Sequence, residues 1–133
     1  MILLPIIFLF ACSSLGLGFE DFQEQVLSTA VDQAVDCGWV KVLDSPESVN
    51  QCVIDSFVAG NPFFAIYELQ GIDSYPAVAL VSNGAGDLIR MNFDSDPTGS
   101  GQRHNGRIDS YMCTNPKLIG TIDDFVDDLF LCA

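Results

Sequence analysis

Between Pro46 and Asp94 the apolar residues recur first every three or four positions and then, past Gly60-Asn61-Pro62, every second position. That change of period predicts one helix feeding a three-strand meander. Ser45 can cap the helix, Pro46 suits a first turn that needs no amide partner, and Gly60 suits a left-handed end. Its inner face carries Val49, Val53 and Phe57, with Cys52 beside them. In the meander, Phe63 to Gln70 begins apolar on both faces and ends half polar, and Tyr75 to Ser82 is nearly all apolar. The third strand sets Ile89, Met91 and Phe93 against Arg90, Asn92 and Asp94, a core face and a wet face. Gly71 to Ser74 and the Asn83-Gly84 pair supply the two turns.

Periodicity extends the pattern in both directions. Phe22, Val26, Ala30 and Ala34 share a helical stripe, and Glu20, Asp21 and Glu24 favour the positive end of a helix dipole, so a helix is expected from Phe19 to Asp36. Cys37-Gly38 would end it, and Trp39 to Leu43 reads as a brief strand or extended link. Asp94 to Arg107 has no apolar anchor and is expected as a loop, followed by a fourth meander strand from Ile108 to Cys113. Thr121 to Asp124 has the form of a capping box, and Ile122, Phe125, Val126, Leu129 and Phe130 then predict a closing helix. Together these elements define an α+β class, an antiparallel β-sheet of four or five short strands packed by helices, formed by residues 19–133 as a single domain. A small sheet with helices on both faces is the alternative.

Charge and cysteine content narrow the setting. The 133 residues carry a formal net charge of −13, which repels phosphate backbones and anionic bilayers and excludes nucleic acid as a partner class. Residues 1–18, MILLPIIFLFACSSLGLG, have the apolar-then-small layout of a secretory signal peptide, with cleavage expected before Phe19. The run Leu9-Phe10-Ala11-Cys12 also resembles a bacterial lipobox, in which a lipid on Cys12 would be the chain's one route to a membrane. Either route leaves Cys37, Cys52, Cys113 and Cys132, an even set without metal-knuckle spacing, and so predicts two disulfides in a secreted, periplasmic or surface-attached protein. Three connectivities are open to four cysteines. Chain return through the intervening helices favours Cys37 with Cys52 and Cys113 with Cys132.

Candidate chemistry is sparse. Asp94-Ser95-Asp96-Pro97-Thr98-Gly99 places oxygen ligands at the first, third and fifth positions and a turn glycine at the sixth, so Asp94, Asp96 and Thr98 are candidate calcium ligands. Asn105 stands where a bidentate Glu would complete that loop. His104 is the lone histidine, and a hydrolytic site would have to assemble it with Ser100 and Asp109, although Gly99-Ser100-Gly101 lacks a nucleophile elbow. No catalytic residue is assigned, and calcium is the only cofactor suggested.

Asp36-Cys37-Gly38, the run SVNQCVIDSFVAGNPFFAIYELQGIDS and the segment MNFDSDPTG resemble a group of small exported bacterial proteins of unassigned function, across about residues 36–114. The resemblance implies export and no particular activity. The order of helix and antiparallel strands is also similar to cystatin-like architectures, without their Q-x-V-x-G segment. The expected function is therefore a non-enzymatic exported module that binds another protein or a small ligand on its open sheet face or on the 94–107 loop. A calcium-stabilised structural module and a hydrolase using His104 are the alternatives.

Overall fold

The computed structural model describes residues 17–99, 101 and 106–133. Residues 1–16, including Cys12 and its lipobox, and residues 100 and 102–105, including His104, lie outside them. Helix α1 (Phe19–Thr29) leads to β1 (Val35–Val40), α2 (Glu47–Ala59), β2 (Phe63–Glu68), β3 (Pro76–Ser82), β4 (Ile89–Asp94) and β5 (Arg107–Met112). These strands form one sheet in the order β1-β2-β3-β4-β5. β1 runs parallel to β2, and every other neighbour is antiparallel.

Both helices begin and end for local reasons. The α2 start has Pro46 at the cap position and Ser45 Oγ accepting the Glu47 amide, while Gly60 closes the helix in the left-handed region. Helix α1 stops seven residues short of the expected Asp36. Ser28 and Thr29 hydroxyls both donate to the Gln25 carbonyl, and beyond Ala30 the stripe offers only Ala34 to bury. The freed residues instead supply β1, so Cys37-Gly38 lies inside a strand and does not terminate a helix. A bulge between Asp36 and Gly38 makes that possible, with the Gly38 amide donating to Asp36 Oδ1 at 2.9 Å. Gly38 has φ +110° and a side chain there would press on Val49, so the site requires glycine.

The helices cover opposite faces. Phe22 and Val26 of α1 are fully buried against Ile66, Ala77, Ala79, Val81, Met91 and Phe93, a burial worth roughly 1.5–3 kcal/mol for each side chain. Val49 and Val53 of α2 pack on the other face against Phe63, Ala65, Tyr67, Val78 and Leu80. Central strands β2 and β3 are thus apolar on both sides because both sides are roofed. At the outer edge, the Gly106 amide donates to the Leu17 carbonyl at 3.0 Å. Gly18 then accepts from the Phe22 amide and donates its own N–H to Asp21 Oδ2 at 2.6 Å.

The closing helix expected from Thr121 is not formed. Residues 117–131 make a two-stranded ribbon, β6 (Lys117–Leu118) with β7 (Phe130–Leu131), joined through a short 3-10 turn at Val126–Asp128. The reason is visible in the acceptors. Asn50 of α2 is fully buried, and its Nδ2 donates at 2.8 Å to the carbonyls of both Ile122 and Asp124, which a helix would need for the amides four residues on. The box-like contact survives as a turn, Asp124 Oδ2 accepting from the Thr121 amide at 2.7 Å. Val126 and Leu129 still enter the α2-side core. Disulfides Cys37–Cys52 and Cys113–Cys132 staple β1 to α2 and the end of β5 to the closing ribbon.

Candidate functional site

The α2 face of the sheet is only partly roofed. Helix α2 packs over β1 and β2, leaving the β3–β5 side of that face to the closing ribbon and to solvent. Cross-strand register lays polar residues there in rows. Val78 faces Asn92, which faces Asp109; Pro76 faces Asp94, which faces Arg107; Leu80 faces Arg90, which faces Tyr111. The result is an open cleft of about 390 Å³ with Leu69, Pro76 and Val78 on its apolar side and Arg90, Asn92, Asp94, Arg107 and Asp109 on its polar side. Pro97 from the following turn also lines it.

Both arginines of the cleft are paired with carboxylates. Arg90 donates Nε to Asn92 Oδ1 at 3.0 Å and contacts Asp127 of the 3-10 turn through its Nη2. Arg107 pairs with Asp109 at 2.9 Å. These half-open pairs contribute little to folding, because solvent screens them. Their guanidinium groups are also two of only five basic side chains in the sequence, so the cleft concentrates the scarce positive charge of an acidic chain.

A second groove of about 370 Å³ shares Leu69 with the cleft; its walls are mainly apolar, from Val40, Val42, Leu43, Pro46, Tyr67, Phe125 and Val126, with Lys41, Asp44, Glu68 and Gln70 among them. Leu43 is 89% exposed and Phe125 is 77% exposed, so two large apolar side chains stand at the rim without a covering partner among the described residues. Leu43 also has φ +69° in a turn closed by the Asp44 amide on the Lys41 carbonyl at 3.0 Å. A branched residue at a turn position that favours glycine costs about 1–2 kcal/mol, and such strain concentrates at binding sites. Under the groove, the Tyr67 hydroxyl donates to Asn50 Oδ1 at 2.8 Å, and burial raises the pKa of that phenol well above its ordinary value.

The sequence candidates fall as follows. Asp94 ends β4 and lines the cleft opposite Arg107, while its Oδ1 accepts the Asp96 amide at 2.9 Å. Asp96 Oδ2 accepts the Gly101 amide at 2.8 Å, and the Thr98 hydroxyl lies 3.5 Å from Asp96 Oδ1. These side chains turn back on their own loop, as short Asp and Thr side chains do in polar turns. Among the described residues, no three His, Cys, Asp or Glu side chains converge as a metal-holding group. Asp109, considered for a hydrolytic site, is held by Arg107. Leu43, Phe125 and Arg107 were not singled out by sequence. Phe125 lay on the stripe of a helix that does not form, and Leu43 carried no signal beyond its position next to Asp44.

Comparison of the chain with family models, with curated proteins and with solved structures finds no match in any of the three. No helix among the described residues is long and apolar enough to cross a membrane.

Proposed function

We propose that this chain is an exported, non-enzymatic binding module that receives a segment of another protein across the cleft and the neighbouring groove on its α2 face. One observation carries the reading: a polar cleft with two arginines and an apolar groove with two uncovered rim side chains meet at Leu69. Guanidinium groups fix polar or anionic atoms by directed donors, and an apolar slot supplies area, the usual division of labour in a recognition site. Export is supported by the leader-like residues 1–18 and by the two disulfides.

Panning a random peptide library against the oxidised protein tests this. Selected peptides should lose most of their binding to Phe125→Ser and to Arg107→Ala, and their protections should map to both the cleft and the groove. Peptides held equally by both variants would refute the site. Mass determination of the mature N-terminus tests export: a chain starting at Phe19, or at a lipid-modified Cys12, is expected, and an intact Met1 in the mature protein would refute it.

A further inference from the structure

Resting on that binding site, we infer that the groove between Leu43 and Phe125 takes an apolar side chain from a cationic segment, with lysines or arginines flanking the buried anchor. The groove's volume of about 370 Å³ sits in the range of about 300–1,000 Å³ usual for ligand sites, and its walls are mainly Val, Leu, Pro and aromatic atoms. An anchor seated there would cover Leu43 and Phe125, the two rim residues exposed on either side.

The charge around that slot is mostly negative. Asp44 belongs to its wall, Glu47 follows the wall residue Pro46, and Asp123 and Asp128 flank the Phe125–Val126 wall; all four are exposed. Lys41 is the single basic residue in the lining, and its ammonium lies 5.2 Å from the Trp39 ring centroid. Carboxylates in the lining and on the residues next to it add to a chain-wide charge of −13, so a basic segment is steered in and an acidic one is turned away. The wall is also prearranged. Asn50 holds the carbonyls of Ile122 and Asp124, and Cys113–Cys132 ties down the ribbon that presents Phe125. A fixed wall spares a ligand the cost of ordering it.

The test is NMR titration of the ¹⁵N-labelled, oxidised protein with three capped hexapeptides: Lys-Lys-Leu-Phe-Lys-Lys, Glu-Glu-Leu-Phe-Glu-Glu and Lys-Lys-Ser-Ser-Lys-Lys. The first should shift the amides of residues 41–44, Leu69 and 125–126, weaken several-fold when salt rises from about 0.05 to 0.5 M, and lose about tenfold or more in affinity with Phe125→Ser. Ile72→Ser, at a fully exposed position outside the groove, should change nothing. Equal binding of the glutamate peptide in the groove overturns the cationic partner and leaves the binding site standing. Equal binding of the serine peptide overturns the apolar anchor, and shifts confined to surfaces outside the cleft and the groove overturn the inference and the site together.

Discussion

Replacing Asn50 with alanine should separate the closing ribbon from the rest of the domain. Asn50 is fully buried and spends its whole amide on three contacts: two N–H donations to Ile122 and Asp124 carbonyls and one acceptance from Tyr67. The substitution leaves the Tyr67 hydroxyl unpaired in a site only 3% exposed, a loss of about 1–3 kcal/mol, and forfeits two donations worth about 0.5–1.5 kcal/mol each. A total near 4 kcal/mol is a large part of the roughly 5–15 kcal/mol that holds a domain folded. Urea unfolding of the oxidised protein, followed by circular dichroism, measures it. Amide exchange should quicken at Ile119 and Gly120, whose N–H groups both rest on the Leu129 carbonyl, while β2 and β3 stay protected. Tyr67→Phe made in both backgrounds should show coupling of about 1 kcal/mol or more. A cost under about 1 kcal/mol, or strict additivity with Tyr67→Phe, would refute the view that this amide clamps the ribbon.

Three further outcomes are expected. Because burial raises the Tyr67 pKa, the unfolded chain loses that proton first as pH climbs past about 10; stability should therefore fall by up to about 1.4 kcal/mol per pH unit there, and Tyr67→Phe should flatten the slope in urea titrations from pH 9 to 11. An unchanged slope would show that the phenol is not the group responsible. Removing the Cys113–Cys132 bridge as a double serine variant should cost about 3 kcal/mol, since it releases two residues 19 positions apart in sequence, and should weaken peptide capture at Phe125 more than removing Cys37–Cys52 does. Millimolar calcium should raise the melting temperature by less than about 1 °C, because Asp94 and Asp96 already hold loop amides; a larger rise that Asp94→Ala abolishes would establish a calcium site.

Where local chemistry and tertiary demand agree, the chain is readable in advance. Helix α2 announces itself through Ser45, Pro46 and Gly60, and the period-two rows of β2 to β4 match the faces they occupy. The split of Arg90 and Asn92 from Met91 and Phe93 foretells the wet half of the sheet on which the cleft is built. Two elements misled for opposite reasons. Cys37-Gly38 has the look of a helix stop, yet its glycine serves a bulge inside β1, where Val49 of the following helix leaves no room for a side chain. The 3.6-residue stripe from Ile122 to Phe130 is a sound helical pattern overruled by one buried amide, a disulfide and a short ribbon. The first strand's parallel direction was equally hidden, since it follows from α2 acting as a crossover and leaves no mark in either strand. The groove inherits these surprises, because Phe125 reaches its rim only when the helix is absent.

The contacts of Leu17 and Gly18 bear on timing. The bond between Gly18 and Phe19, where the leader is expected to be cut, sits inside the first turn of α1, with Gly18 accepting from Phe22 and donating to Asp21. Phe19 itself is wedged in an aromatic knot, 5.2 Å from Trp39, 5.4 Å from Tyr75 and 5.9 Å from Phe93 between ring centroids. A peptidase that reads an extended strand meets a closed helix there once the domain has formed. If a leader is cut before Phe19, that cut would therefore have to precede formation of this turn, whereas a cut before Cys12 would leave Leu17 and Gly18 in place and would be free of that deadline.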